Sequence, residues 1–116
     1  MQEENCIFCQ IASGAMEADI VFKDDLVCVF RDINPVAPSH LLIIPNAHIE
    51  SNNDLGPDQA AFAARMLTVV PELAEKEGIR ESGYRIIMNT GSDGRQEVKH
   101  IHLHLIGGKR MQHPMG

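Results

Sequence analysis

His100-Ile101-His102-Leu103-His104-Leu105-Ile106 alternates imidazoles with aliphatic side chains at every second position. Successive side chains of an extended strand point to opposite faces. A period of two therefore puts all three imidazoles on one face and Ile101, Leu103 and Leu105 on a core-facing one. A helix would fan the rings apart, so the spacing predicts a half-buried strand over residues 98–106. Just upstream, Thr90-Gly91-Ser92-Asp93-Gly94 has turn chemistry, and Tyr84-Arg85-Ile86-Ile87-Met88-Asn89 reads as the strand before it.

Further upstream, Ile20-Val21-Phe22 and Leu26-Val27-Cys28-Val29-Phe30 flank Lys23-Asp24-Asp25, which predicts a hairpin. The two prolines of residues 32–38 exclude a central strand there, because proline has no N–H to give a ladder. His40-Leu41-Leu42-Ile43-Ile44 is then a third strand ended by Pro45. Cys6-Ile7-Phe8-Cys9-Gln10-Ile11-Ala12 reads as a short helix stopped at Ser13-Gly14. Between Pro57 and Glu77, the residues Phe62, Met66, Val69, Val70 and Leu73 form a helical stripe, with a kink or break expected at Pro71 and Gly78 closing the segment. Hairpin-joined strands with two inserted helical segments give an α+β class with five antiparallel strands.

At 116 residues, of which 44% are hydrophobic and 22% charged, the chain fits one folded domain over residues 1–116. A net charge of -6 without a basic stripe argues against extended nucleic acid as partner, whereas a small anion remains compatible. The longest aliphatic run, Leu41-Leu42-Ile43-Ile44, is far below the roughly 20 residues a membrane helix needs. The acidic start Met1-Gln2-Glu3-Glu4-Asn5 leads into no apolar signal region, so a cytoplasmic location is expected. Three cysteines are an odd number, and Cys6-Ile7-Phe8-Cys9 reads as a metal or redox pair, with Cys28 as a core side chain.

Rings on one strand face lie about 7 Å apart at next-but-one positions, so their charges oppose one another and favour neutral imidazole. A neutral ring is a nucleophile or base near pH 7, and a protonated neighbour stabilises an oxyanion, which suits phosphoryl or acyl transfer. His-x-His on a strand also suits a hydrolytic zinc site. Cys6-x-x-Cys9 supplies half a tetrahedral zinc site, with His48 and His100 as candidates to complete it and free thiols as the alternative.

At these residues the chain resembles the histidine triad (HIT) family, whose signature His-φ-His-φ-His-φ-φ (φ apolar) is matched over residues 100–106. The resemblance extends to residues 30–40, Ile44-Pro45-Asn46-Ala47-His48-Ile49, Gly83-Tyr84-Arg85 and residues 88–94, and it is nearest to the Hint branch of nucleotide-binding phosphoramidases. It implies a five-stranded antiparallel sheet with a short N-terminal helix and one longer helix, the sheet continuing across a homodimer. It also implies hydrolysis of purine nucleoside phosphoramidates, adenylate joined to an amine, through a nucleotidyl-histidine intermediate.

On that pattern His102 is the nucleophile, His104 and His40 contact phosphate oxygens or the leaving group, and His100 fixes the ring array. Asn89 and Gln96 orient the phosphate, and Asp32 and Ile33 meet the ribose. Phe8, Ile11 and Leu42 supply an apolar purine slot, with ordinary core packing the alternative for each. Asp32 has a turn acceptor as its alternative. A subset of the family binds structural zinc at positions matching Cys6, Cys9, His48 and His100, and no catalytic metal is expected.

The chain departs from the pattern at three places. Arg95 and Glu97 stand where Gly and Ser are common, which puts the Glu97 carboxylate near the phosphate, and His113 stands where many relatives have Trp. A regulatory nucleotide-binding module and a zinc-dependent hydrolase are the competing functional readings.

Overall fold

The computed structural model describes residues 5–115, so the reading of Met1-Gln2-Glu3-Glu4 lies outside the described residues. In chain order the elements are α1 (Ile7–Ser13), β1 (Ile20–Lys23), β2 (Val27–Arg31), β3 (Ser39–Pro45), two 3-10 turns (Asn52–Asp54 and Pro57–Gln59), α2 (Ala60–Thr68), α3 (Val70–Lys76), β4 (Tyr84–Ile87) and β5 (Leu103–Gly107). The strands form one antiparallel sheet in the order β1-β2-β3-β5-β4. This is the α+β architecture expected from the sequence.

Local chemistry accounts for the boundaries. Gly14 ends α1 in the left-handed region, φ 86°, and its N–H bonds the Ile11 carbonyl. In the β1–β2 turn, Asp24 Oδ1 accepts from the N–H groups of Leu26 and Val27, and Asp24 Oδ2 takes Arg65 Nε of α2 at 2.7 Å. The long helical stripe is interrupted at Val69 between α2 and α3, two residues before Pro71. Proline has no N–H to continue the ladder and its ring crowds the preceding turn, so the break falls where the sequence predicts it.

Register divides the sheet into two faces. Val29, Leu41, Ile43, Leu103 and Leu105 point to one side, where α2 and α3 cover them with Met66, Val69, Val70, Leu73 and Ala74. Cys28, Phe30, Leu42 and Ile44 point to the other, under Phe8, Ile11 and Ala12 of α1. Seven helical residues span about 10 Å. The apolar cluster under α1 is therefore drawn from β2 and β3, and over β5 and β4 the same face carries a depression lined by Arg85, Ile87 and Ile106 together with Val36, Met111 and His113.

Two strands differ from expectation. β4 stops at Ile87 rather than Asn89, and β5 begins at Leu103 rather than at residue 98. Residues 98–102 are not in the ladder, whose last pair is Ile43 with Leu103, although β3 itself runs on to Pro45 against β2. The Ile101 N–H instead donates to the Ile49 carbonyl at 2.7 Å.

Leu41 sits at the centre of the sheet with none of its surface exposed. Leu41→Ala is expected to lower stability by about 2–5 kcal/mol, read as a shifted urea midpoint with an unchanged slope.

Candidate active site

Although His100 and His102 precede β5, the three rings of residues 100–104 still share one side of the sheet. Phe8 of α1 meets both the His100 and His102 rings edge-on, with centroids at 5.8 and 5.1 Å. His102 and His104 are 5.1 Å apart, and His40, brought from β3, is 5.2 Å from His104. Ile101, Leu103 and Leu105 go into the opposite core. The alternation thus survives without a continuous strand, because His100 and His102 are buried on one face while Ile101 and Leu103 are buried on the other.

The partners of each ring fix its hydrogens. His102 Nδ1 lies 2.8 Å from the His100 carbonyl, which only accepts, so Nδ1 carries the hydrogen and Nε2 keeps its lone pair. His100 Nε2 donates to the Pro45 carbonyl at 2.9 Å, which turns Nδ1 toward Cys6 Sγ at 3.2 Å and Cys9 Sγ at 3.5 Å. His40 Nδ1 accepts the Val36 N–H at 3.2 Å, so His40 Nε2 carries the hydrogen and donates to His104 Nδ1 at 2.9 Å. His104 then bears its hydrogen on Nε2.

The cluster favours neutral rings. Burial pushes His100 down to about 4 from the ordinary 6.5, against the pull of its bond to Pro45 and with help from His48 and His102. His104 is pushed down to about 4 by burial and by the neighbouring His102 and His40, while Asp32 opposes the shift. His102 is lowered by burial, with its bond to the His100 carbonyl and the Asp32 charge opposing, and His40 by burial, with Asp32 opposing.

Cys6, Cys9, His48 and His100 place two thiol sulfurs and two imidazole nitrogens within 4.8 Å of one another. Cys9 Sγ also meets His48 Nδ1 at 3.4 Å. Two sulfurs and two nitrogens are a tetrahedral zinc donor set, and the orientation of His100 aims its lone pair into it. Asp32, His40 and His104 form a second group of metal-ligand spacing. There, however, the Val36 N–H on His40 Nδ1 keeps a hydrogen on His40 Nε2, the nitrogen a metal would need, so this group reads as a hydrogen-bonded relay.

The remaining candidate residues divide by what their side chains touch. Phe8, Ile11 and Leu42 come together under α1 and are nearly buried, which fits the packing alternative as well as a slot wall. Ile33 is 90% exposed beside Asp32, whose Oδ1 accepts from Asn34 N–H at 2.8 Å in a local turn and whose Oδ2 lies 3.4 Å from His40 Nε2. The Asn89 amide donates to the Gly94 carbonyl, and Gln96 bonds Gly91 N–H and the carbonyls of Glu50 and Val98. Both amides thus brace the loop of residues 90–98. Glu97 faces a depression shared with Cys6, His48 and Glu50, on the side of the thiol cluster.

Three partners have no signal in the sequence: the carbonyls of His100 and Pro45 and the amide of Val36, since any residue supplies such groups. Arg31, Ser39 and Glu77 carry no signal of a role either. Arg31 holds Glu77 through two bonds of 2.8 Å, and Ser39 donates to Glu77 at 2.6 Å, behind the strand ends that carry Asp32 and His40.

A family model for the HIT domain matches residues 13–111. The chain is 52% identical over 106 residues to the purine nucleoside phosphoramidase of Escherichia coli strain K12, covering 91% of this chain and 89% of that protein. It is 41% identical to the protein HitA of Neisseria gonorrhoeae, over 90% of this chain and 96% of that one. Among solved structures, a HIT family hydrolase from Legionella pneumophila superposes with a TM-score of 0.92 at 50% identity, covering 97% of this chain and all of that one. A histidine triad protein from Clostridium difficile superposes at 0.95 with 39% identity, covering 99% and 100%.

A histidine whose proton affinity is depressed by folding stabilises the fold above its unfolded value and ceases to do so as pH falls toward its folded one. With His104 at about 4 against 6.5, thermal stability is expected to fall as pH drops from 6.5 toward 4. His104→Gln should flatten that fall in a melting series, and an unchanged slope would remove His104 from the explanation.

Proposed function

Because the chain belongs to the HIT family, and because the bond from His102 Nδ1 to the His100 carbonyl frees Nε2 to attack, we propose that it hydrolyses purine nucleoside phosphoramidates through His102. The named activity of the Escherichia coli relative, at 52% identity, supports that substrate class, and the carbonyl bond is the observation that carries the nucleophile.

In the first step His102 Nε2 forms a bond to the α-phosphorus while the P–N bond breaks and its electron pair leaves on nitrogen. The departing amine takes a proton from His104 Nε2. In the substrate complex the phosphoryl anion offsets the burial that keeps His104 neutral in the free protein, so the ring can hold a solvent proton there. In the second step water attacks phosphorus, returns a proton to His104 and frees His102, releasing the nucleoside monophosphate. Asp32 and Ile33 take the ribose, and the space beside Phe8, Ile11 and Leu42 takes the purine. Asn89, Gln96 and Glu97 act on the phosphate through the loop they hold or flank.

Cys6, Cys9, His48 and His100 would hold a zinc ion that supplies no chemistry to the reaction but fixes α1 and His100 against the sheet. A homodimer is part of the same reading. β4 is an edge strand whose Tyr84 and Ile86 are well exposed, and an uncovered apolar edge is a surface on which a second sheet can continue.

His102→Ala is expected to lower turnover of an adenosine 5'-phosphoramidate by roughly 10⁴-fold or more while nucleotide binding changes little. Mass spectrometry of rapidly quenched wild-type protein should find a nucleoside-monophosphate adduct on His102, and an adduct elsewhere would sink the assignment. Chelation should lower the melting temperature, with turnover lost only as the protein unfolds. Loss of turnover from a chelated protein that stays folded would favour a catalytic metal instead.

A further inference from the structure

His40 has one hydrogen to give and two acceptors near it. Its Nδ1 is occupied by the Val36 N–H, so the ring hydrogen is on Nε2, 2.9 Å from His104 Nδ1 and 3.4 Å from Asp32 Oδ2. While His104 is neutral, its Nδ1 lone pair accepts that hydrogen. When His104 carries a second proton, Nδ1 becomes a donor, and two N–H groups would then face each other across 2.9 Å. A ring N–H is fixed in the imidazole plane, so the His40 ring must tilt to redirect it, and Asp32 Oδ2 is the acceptor within reach.

We propose that Asp32 makes the protonation of His104 possible, by accepting the His40 Nε2 hydrogen whenever His104 Nδ1 is occupied. The role is additional to ribose binding and rests on the hydrolysis proposed above, in which the departing amine needs a proton from His104. Asp32 is a positioning residue in this step, since it acts on the leaving group through His40 and His104.

The local structure is arranged for the exchange. Asp32 Oδ1 is tied to the Asn34 N–H at 2.8 Å, which leaves Oδ2 as the oxygen turned to His40. The Asp32 N–H donates to the His40 carbonyl at 3.0 Å, so the backbones of the two residues are locked together and the side chains need only share a hydrogen. The Asp32 side chain is 20% exposed, which lets a ribose hydroxyl reach the carboxylate without displacing it from His40. A carboxylate has lone pairs for both.

The other groups facing His104 do not offer this relief. His102 adds no acceptor at His104 Nδ1, because its own hydrogen is held by the His100 carbonyl and its lone pair is the attacking one. On β4, Ile87 lies opposite His104 and Arg85 opposite Ile106, so the nearest charge from that strand is positive. The negative charge of Asp32 also opposes the loss of protons from both His40 and His104, which agrees with the geometry.

The test separates ribose binding from proton supply by changing the leaving group alone. Wild type and Asp32→Asn would be assayed on an adenosine 5'-phosphoramidate of an alkylamine, whose nitrogen must be protonated, and on 4-nitrophenyl adenosine 5'-phosphate, whose nitrophenolate leaves without a proton. Both substrates carry the same ribose, so a lost sugar contact affects both alike. Any common loss cancels in the ratio of the two, and we expect kcat for the alkylamine relative to kcat for the nitrophenyl ester to fall about 100-fold or more in Asp32→Asn. Equal losses for the two, or a loss confined to KM, would overturn the proposal. Nuclear magnetic resonance of the ring nitrogens gives a second readout that does not need turnover: in Asp32→Asn, His104 should take up its proton at lower pH than in wild type, and an unchanged midpoint would also overturn it. If the wild type cleaves neither substrate the parent reading fails first, whereas cleavage of both with no effect of Asp32→Asn removes the Asp32 role alone.

Discussion

The buried bond from His100 Nε2 to the Pro45 carbonyl is the contact on which both halves of the site depend. It joins the end of β3 to the segment entering β5, where the regular ladder has already stopped. By fixing one nitrogen of His100 it commits the other to the thiols of α1, and by fixing the ring it fixes the carbonyl that orients His102. A single residue therefore points one polar group at a structural cluster and another at the nucleophile. Burial sustains this arrangement by favouring the neutral ring, whose Nδ1 lone pair then faces the sulfurs while Nε2 keeps the carbonyl.

The histidine alternation was legible because it is local and strong: three imidazoles and three aliphatic residues at period two admit one partition of faces. Gly14 after α1 and the break before Pro71 were legible for the same reason, as each follows from one residue's backbone chemistry. The start of β5 was not, since it depends on where pairing with β3 gives way to the bonds of His100 and Ile101 to Pro45 and Ile49, partners some fifty residues earlier. The partners of Gln96 were not legible for a different reason. An amide looks the same in sequence whatever it meets, and here it bonds two backbone groups of its own loop, at Gly91 and Val98, and one of a separate segment, at Glu50.

Hydrogen placement in the cleft is set almost wholly by main-chain groups. The carbonyls of Pro45 and His100 and the amide of Val36 assign hydrogens to three rings, and the fourth, His104, receives its assignment from His40. Main-chain groups have no rotamers to lose, so the tautomers are imposed by the path of the chain. This makes backbone position, more than side-chain identity, the quantity that the fold has to protect.

The protection comes from the other face of the sheet. Arg31 lies opposite Leu41 and Ser39 opposite Gly107, so both point away from the histidines, toward the C-terminal end of α3. There Glu77 receives two bonds from Arg31 and one from Ser39, and the guanidinium holds its carboxyl below the usual range. Arg31 is followed directly by Asp32, and Ser39 by His40. A bidentate, partly buried ion pair is directional enough to hold two strand ends in register, although its net contribution to stability is small once desolvation is counted. The helix layer thus acts on the cleft through geometry: it sets the separation of the two backbone segments whose side chains must share one hydrogen. That hydrogen is exchanged over distances of 2.9 and 3.4 Å, and a displacement of either strand end by a fraction of an ångström would favour one acceptor over the other.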